Sequence, residues 1–203
     1  MTEVDTMAIR QAAIRQRIAQ ACERAGRAPD SVTLLPVSKT FEVDAIREAM
    51  ALGLARFGEN KTQELRQKAA ALAGQGLQWV LIGHLQTNKA KDAARDATEL
   101  QSLDRIDLAE ALHRRLVLEG RTLDVLVQVK TSSEPSKYGM APSDVSAFLR
   151  RIVAEAVAEQ VAPLRHSLAA MQSGGPRMSE VAGGIGYIVG LAGIALWARS
   201  RRR

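Results

Sequence analysis

Residues 34–40, Leu-Leu-Pro-Val-Ser-Lys-Thr, form a short apolar run that ends on a lysine. The apolar positions, with turn-forming residues before them and a helical pattern after them, predict a buried strand of a βα unit. In folds built from such units, the carboxyl ends of the strands carry the chemistry. Lys39 lies at that end and is therefore the first candidate for a functional residue.

A lysine in this position has two interpretations. An amine surrounded by apolar groups is costly to keep charged, and the neutral amine is a nucleophile that forms Schiff bases with aldehydes. The simpler alternative is that Lys39 extends past the strand end into solvent. The stretch by itself leaves both interpretations open.

The composition limits the class of protein. The chain has 203 residues, which suffices for one good-sized domain but falls short of the roughly 250 of a complete (β/α)₈ barrel. Of the net charge of +6, four arginines lie in residues 199–203, and without them +2 remains. With 3% aromatic residues, the sequence gives no reason to expect a nucleic-acid partner. The single cysteine, Cys22, fits a reducing compartment and a small core position.

Up to about residue 131, helical and strand patterns alternate. Apolar residues at helical spacing predict helices over residues 5–26, 43–50, 62–72 and 106–118. Apolar and β-branched runs predict five strands, over residues 34–40, 55–60, 79–85, 98–105 and 123–131. Strands that alternate with helices in this way indicate an α/β protein with a parallel sheet.

The chain changes character after Pro142. Residues 143–172 form one long helical pattern, interrupted only by Pro163, and a linker over residues 173–180 follows it. Residues 181–198 are eighteen residues without a charge, long enough at about 27 Å to span a bilayer core, and residues 199–203 are a basic tail. We predict a transmembrane helix there, with a glycine-rich core helix as the alternative.

Several motifs at the ends of the predicted strands resemble, in the same order, those of the pyridoxal-phosphate homeostasis protein family. They are VSKT at 37–40, FGEN at 57–60 with Gln63 and Glu64, IGHLQTNK at 82–89, SLDR at 102–105, and QVK at 128–130 through SKYG at 136–139. The resemblance covers about residues 5–145, and the family resembles the N-terminal barrel of alanine racemase. It implies an incomplete (β/α) barrel of about five parallel strands over residues 1–142.

The resemblance also implies a function. Members of the family hold pyridoxal 5′-phosphate as a Schiff base and are thought to buffer it or deliver it to dependent apoenzymes, without established catalysis. Lys39 matches the Schiff-base lysine, and we expect Asn60 and His84 to contact the cofactor. The alternatives are that Glu59 and Asn60 cap the following helix, and that His84 makes a structural hydrogen bond. Racemase activity is not expected, since nothing in the sequence positions Tyr138 opposite Lys39.

Three features depart from the family. Val80 stands where its members usually have histidine, and the last strands of the barrel, with the loops that hold the cofactor phosphate, have no counterpart in the sequence. In their place, residues 145–203 resemble the membrane anchor of an accessory component of nickel/cobalt uptake transporters. The leading hypothesis is therefore a cytoplasmic cofactor-binding region with membrane association through residues 181–198. A membrane-anchored transporter subunit and a non-functional fusion are the alternatives. The histidines and Cys22 are isolated, so no metal site is expected.

Overall fold

The computed structural model of the chain describes residues 6–134 and 136–173. It has two compact units, Met1–Leu149 and Arg150–Arg203. The first unit contains a parallel β-sheet with helices between successive strands.

Strands and helices alternate along the first unit. The strands are β1 (Arg56–Glu59), β2 (Gln78–Leu81), β3 (Glu99–Leu103) and β4 (Asp124–Val127). The helices are α1 (Met7–Arg24), α2 (Val43–Ala51), α3 (Thr62–Ala71), α4 (Ala90–Asp96), α5 (Ile106–Glu119) and α6 (Val145–Ser173). Short 3₁₀ turns occupy Pro29–Ser31, Thr87–Lys89 and Pro142–Asp144.

The four strands pair in parallel in the order β1-β2-β3-β4. Phe57 of β1 lies opposite Trp79 of β2, and Leu81 lies opposite Leu100 of β3. Each strand is followed by its neighbour in the sheet, which is the winding found in (β/α) barrels. The prediction of a parallel α/β fold is confirmed.

The strand predicted over residues 34–40 is reduced to one bridge, between Val37 and Gly58. The segment does run beside β1, because Gly58 donates its N–H to the Pro36 carbonyl (2.8 Å) and accepts from the Ser38 N–H (2.9 Å). Proline has no N–H to donate, so pairing cannot extend on both sides of Pro36. The described sheet therefore has four strands where the sequence predicts five.

The helices lie close to their predicted positions. Thr6 caps α1 by accepting the N–H of Ile9 at 3.4 Å, and α5 ends at Gly120, whose positive φ of 59° suits a helix terminus. The helix α6 runs through Pro163, where the sequence predicts an interruption. Proline removes one hydrogen-bond donor, but its fixed φ is compatible with a helix.

The core lies between the sheet and its helices. Phe57 and Trp79 pack with their ring centroids 6.0 Å apart, and Cys22 is buried, as its helical position predicts. The side chains of β4 are exposed by comparison, with Leu126 at 54%. The last of the predicted strands is therefore the least buried of the four.

The predicted membrane segment at residues 181–198 lies outside the described residues, as do the basic tail at 199–203 and all of the linker except Ser173. Within residues 6–134 and 136–173, no helix combines the length and apolar character needed to cross a bilayer. The predicted transmembrane helix thus remains a prediction.

Candidate cofactor site at the carboxyl ends of the strands

Lys39 occupies a tight turn directly after the segment that pairs with β1. The Phe41 N–H donates to the Ser38 carbonyl at 3.1 Å, which closes a four-residue β-turn with Lys39 and Thr40 at its centre. The Lys39 side chain is exposed, contrary to the expectation of apolar surroundings. The reason is that the turn carries the chain out of the sheet one residue beyond the bridge at Val37.

Thr40 has an unusual backbone conformation. Its φ is +67°, and it is the only residue other than glycine with a positive φ in the described part of the chain. For a β-branched residue this conformation is strained and persists only where surrounding contacts hold it. One such contact is the Thr40 N–H, which donates to Oε2 of Glu64 at 3.1 Å. The strain lies directly beside Lys39.

A buried ion pair lies next to this turn. Glu59, at the end of β1, is fully buried, and its Oε1 accepts from Lys68 Nζ (2.7 Å) and Ser38 Oγ (2.6 Å). Lys68 Nζ also donates to the Ser38 carbonyl at 2.7 Å. The interpretation of Glu59 as a helix cap is wrong, because α3 has Lys61 at its N-cap and no side-chain cap bond. Glu59 instead connects β1 to α3.

Asn60 follows β1 and lies against the backbone of the β2 exit. A Cβ placed on Gly83 would lie 2.3 Å from the Asn60 carbonyl oxygen, so only glycine allows this approach. The side chain of Asn60 makes no cap bond to α3, which excludes the capping alternative. Its Oδ1 is buried and has no hydrogen-bond partner among the described residues.

His84 follows β2 and is positioned by two side chains. Its ring stacks on that of Tyr138, with centroids 3.8 Å apart and planes inclined by 14°. Its Nδ1 lies 3.5 Å from Oδ2 of Asp104, which follows β3, without forming a hydrogen bond. Tyr138 thus covers one face of His84.

Four buried polar atoms lack a hydrogen-bond partner within the described residues, and all lie at the carboxyl edge of the sheet. They are Glu59 Oε2, Asn60 Oδ1, His84 Nδ1 and Gln128 Oε1. These residues end or follow β1, β2 and β4, so parallel pairing brings them to the same edge. Buried polar atoms normally have partners, and such a concentration indicates a place for water or a polar ligand.

Asn60 and His84 line one cleft of about 230 Å³. Lys61 and Lys89 also line it and give it positive charge. Lys39 is not among its lining residues, so the structure brings together two of the three predicted site residues. A larger cleft, about 370 Å³, is mainly apolar and lies between α1, α2 and residues 34–41. In the described ranges, no three histidine, cysteine or carboxylate side chains form a group that would hold a metal ion.

The roles of Glu64 and Lys68 are not apparent from the sequence. Both belong to α3 and contact the turn that carries Lys39. Their spacing of four residues is a pattern typical of interacting side chains on one helix face. Nothing in that spacing, however, indicates that Lys68 is buried or that its main partner is Glu59.

Fold and site together define a class: a parallel α/β protein of the barrel type, with unsatisfied polar groups at the carboxyl ends of its strands. The comparisons with known proteins are more specific. The pyridoxal phosphate homeostasis protein of Pseudomonas aeruginosa is 41% identical over 149 residues, which are 73% of this chain and 65% of that protein. The corresponding protein of Aquifex aeolicus is 39% identical over 132 residues, 65% of this chain and 58% of that protein.

Solved structures also match the barrel-like part of the chain. PipY of Synechococcus elongatus with pyridoxal phosphate bound is 38% identical, with a TM-score of 0.58 over 66% of this chain and 63% of that one. An unknown protein from Bifidobacterium adolescentis is 34% identical, with a TM-score of 0.64 over 72% of this chain and 65% of that one. The resemblance to pyridoxal phosphate homeostasis proteins is thus confirmed, although the chain spans less than two thirds of each of these relatives.

The remainder of the chain has a different match. A family model described as HI_1622_C, C-terminal domain, matches residues 142–203. This match begins at the point where the alternating strand and helix patterns end and the long helical pattern starts. Neither its description nor the relatives above name a transporter, so the nickel/cobalt alternative has no support.

Proposed function

We propose that the barrel-like part of this chain binds pyridoxal 5′-phosphate through a Schiff base with Lys39 and serves to buffer or deliver this cofactor. The observation that carries the proposal is the position of Lys39, on an exposed turn at the edge of the sheet where Asn60 and His84 also lie. Relatives named for pyridoxal phosphate homeostasis support it.

The residues present fit such a cofactor. Its ring and phosphate carry several polar atoms, and the sheet edge offers buried polar atoms that lack partners, among them Asn60 Oδ1 and His84 Nδ1. The positive cleft beside them suits an anionic ligand. When bound, the cofactor supplies an aldehyde that forms a reversible covalent bond with an amine.

The task of Lys39 follows from that chemistry. With the cofactor bound, Lys39 would supply the neutral amine that bonds to the aldehyde carbon, with release of one water molecule. Lys68 is held by Glu59 and by the Ser38 carbonyl and is unsuited to this task. Because Lys39 is exposed, water or an incoming amine can reach the bond, which suits transfer of the cofactor to dependent apoenzymes.

The experiment is a titration of the full chain with pyridoxal 5′-phosphate, followed by the visible absorbance of the Schiff base. We expect saturable absorbance in the wild type and its loss in Lys39→Ala. Lys91→Ala, which changes an exposed lysine on α4 that does not line the cleft, should retain it. A signal of equal size in Lys39→Ala would contradict the proposed role of this lysine.

A further inference from the structure

We infer that Glu64 and Lys68 are positioning residues for Lys39, an inference that rests on the proposed function. Both lie on α3, four residues apart, and their charged groups are 3.8 Å from each other. Lys68 Nζ donates to the carbonyl of Ser38, and Glu64 Oε2 accepts the N–H of Thr40. The two residues that flank Lys39 are thus each held by one side chain of the same helix. We call Glu64 and Lys68 the α3 clamp.

The Lys68 side of the α3 clamp is anchored in the core. Lys68 is 7% exposed and Glu59 is fully buried, so their ion pair at 2.7 Å is poorly screened by solvent. Lys68 therefore has little freedom to leave the Ser38 carbonyl. This fixes the start of the turn relative to β1 and α3.

The Glu64 side holds a strained residue. A φ of +67° at the third position of a β-turn is the conformation in which glycine is favoured, yet the chain has threonine there. Without the bond to Glu64, Thr40 is expected to relax towards negative φ, which would redirect the Lys39 side chain. Glycine at position 40 would adopt the same turn without strain. The strain thus makes the orientation of Lys39 dependent on Glu64.

Three variants and one control test this dependence. Glu64→Ala removes the acceptor, Glu64→Gln keeps an oxygen for the Thr40 N–H, and Glu64→Ala with Thr40→Gly removes the strain as well. The control is Asp44→Ala, an exposed carboxylate on α2 that pairs with Arg47. The first readout is the rate of Schiff-base formation with pyridoxal 5′-phosphate, with borohydride reduction and peptide mapping to locate the modified lysine.

We expect Glu64→Ala to slow modification of Lys39 about tenfold, since one hydrogen bond to a charged acceptor is lost. Glu64→Gln and the double variant should lie within about threefold of the wild type, because the turn keeps an acceptor or loses its strain. Asp44→Ala should leave the rate unchanged. Rescue by Glu64→Gln and by Thr40→Gly would not be expected if Glu64 served only the general stability of α3.

The second readout is hydrogen exchange of the Thr40 amide without cofactor. We expect exchange about tenfold faster in Glu64→Ala and unchanged in Asp44→Ala. A wild type that is not modified at Lys39 would overturn the proposed function even if Thr40 exchange changes as expected. A wild type modified at Lys39, with Glu64→Ala equal to it in both readouts, would overturn the α3 clamp alone.

Discussion

Two lysines close to the same turn have opposite surroundings. Lys39 is exposed, whereas Lys68 is buried and bonded to Glu59 and to the Ser38 carbonyl. The motif around Lys39 is recognisable in the sequence, but its exposure is not, because it depends on how the turn leaves the sheet. The pairing of Lys68 with Glu59 likewise cannot be predicted from the sequence, because it joins a strand residue to a helix residue nine positions further along the chain.

The buried pair leads to a stability prediction. Lys68→Met leaves the fully buried Glu59 carboxylate without its cation, and we expect a loss of about 3–5 kcal/mol in the free energy of unfolding. Urea denaturation measures it. The matched control is Lys61→Met, an exposed lysine 3.9 Å from Glu64, which should change stability by no more than about 0.5 kcal/mol. Equal effects of the two substitutions would contradict the account of the ion pair.

At the scale of elements, the strand and helix patterns predict most of the fold. The regions of β1, β2 and β3 and the helices predicted within the described residues appear near their expected positions, since apolar spacing follows the buried face of each element. The strand predicted at residues 34–40 is shorter in the structure, because Pro36 has no N–H to pair with the neighbouring strand. The exposure of the β4 side chains depends on what packs against the strand, and the local sequence pattern does not predict that packing.

Gly58 within β1 and Gly83 after β2 provide a matched pair of glycines. Gly83→Ala would place a Cβ 2.3 Å from the Asn60 carbonyl oxygen, and we expect a loss of about 1–3 kcal/mol as the two loops separate. Gly58→Ala would meet only side-chain atoms at 3.5 Å, an ordinary contact, and should stay within about 0.5 kcal/mol. Thermal unfolding compares them. The close approach of the loops would be refuted if Gly83→Ala were as stable as Gly58→Ala.

The first turn of α5 predicts a pH dependence. Desolvation acts to raise the pKa of the exposed Asp107 carboxyl, but the hydrogen bond from Thr87 at 3.0 Å and the charge of Arg105 outweigh it, so the pKa lies below its ordinary value of 3.8. A lowered pKa in the folded state stabilises the protein above the unfolded pKa, and this contribution is lost as pH falls through the folded pKa. Because the Asp107 side chain is 63% exposed and solvent screens its interactions, Asp107→Asn should lower the Tm by no more than about 1 °C at pH 7 and leave it unchanged at about pH 2. A decrease of equal size at both pH values would contradict the prediction.

At the scale of the whole molecule, the described sheet has four strands and the chain spans 65% or less of the curated relatives compared above. In complete (β/α)₈ barrels the phosphate site commonly lies in the loops after strands seven and eight. The part of the chain that the structure describes contains no such loops. We therefore expect the described residues by themselves to give the cofactor phosphate little of the affinity that such a site provides.

This leads to a prediction about affinity. Two or three charge-assisted hydrogen bonds to a phosphate contribute about 3–9 kcal/mol, or roughly two to six decades in Kd. Without them, we expect pyridoxal 5′-phosphate to bind no more than about tenfold more tightly than pyridoxal, which lacks the phosphate. Titrations of the full chain with each compound measure the ratio. Tight, stoichiometric binding of the phosphate form alone would show that other residues supply the phosphate site.

The central claim is that Lys39 is the amine that bonds to the cofactor. The most direct measurement is borohydride reduction of the full chain with pyridoxal 5′-phosphate, followed by peptide mapping of all lysines. We predict that the modification appears at Lys39 first and with the highest occupancy, and that the buried Lys68 remains unmodified. Modification spread evenly over the exposed lysines, or concentrated at Lys61 or Lys89 of the neighbouring cleft, would contradict the claim.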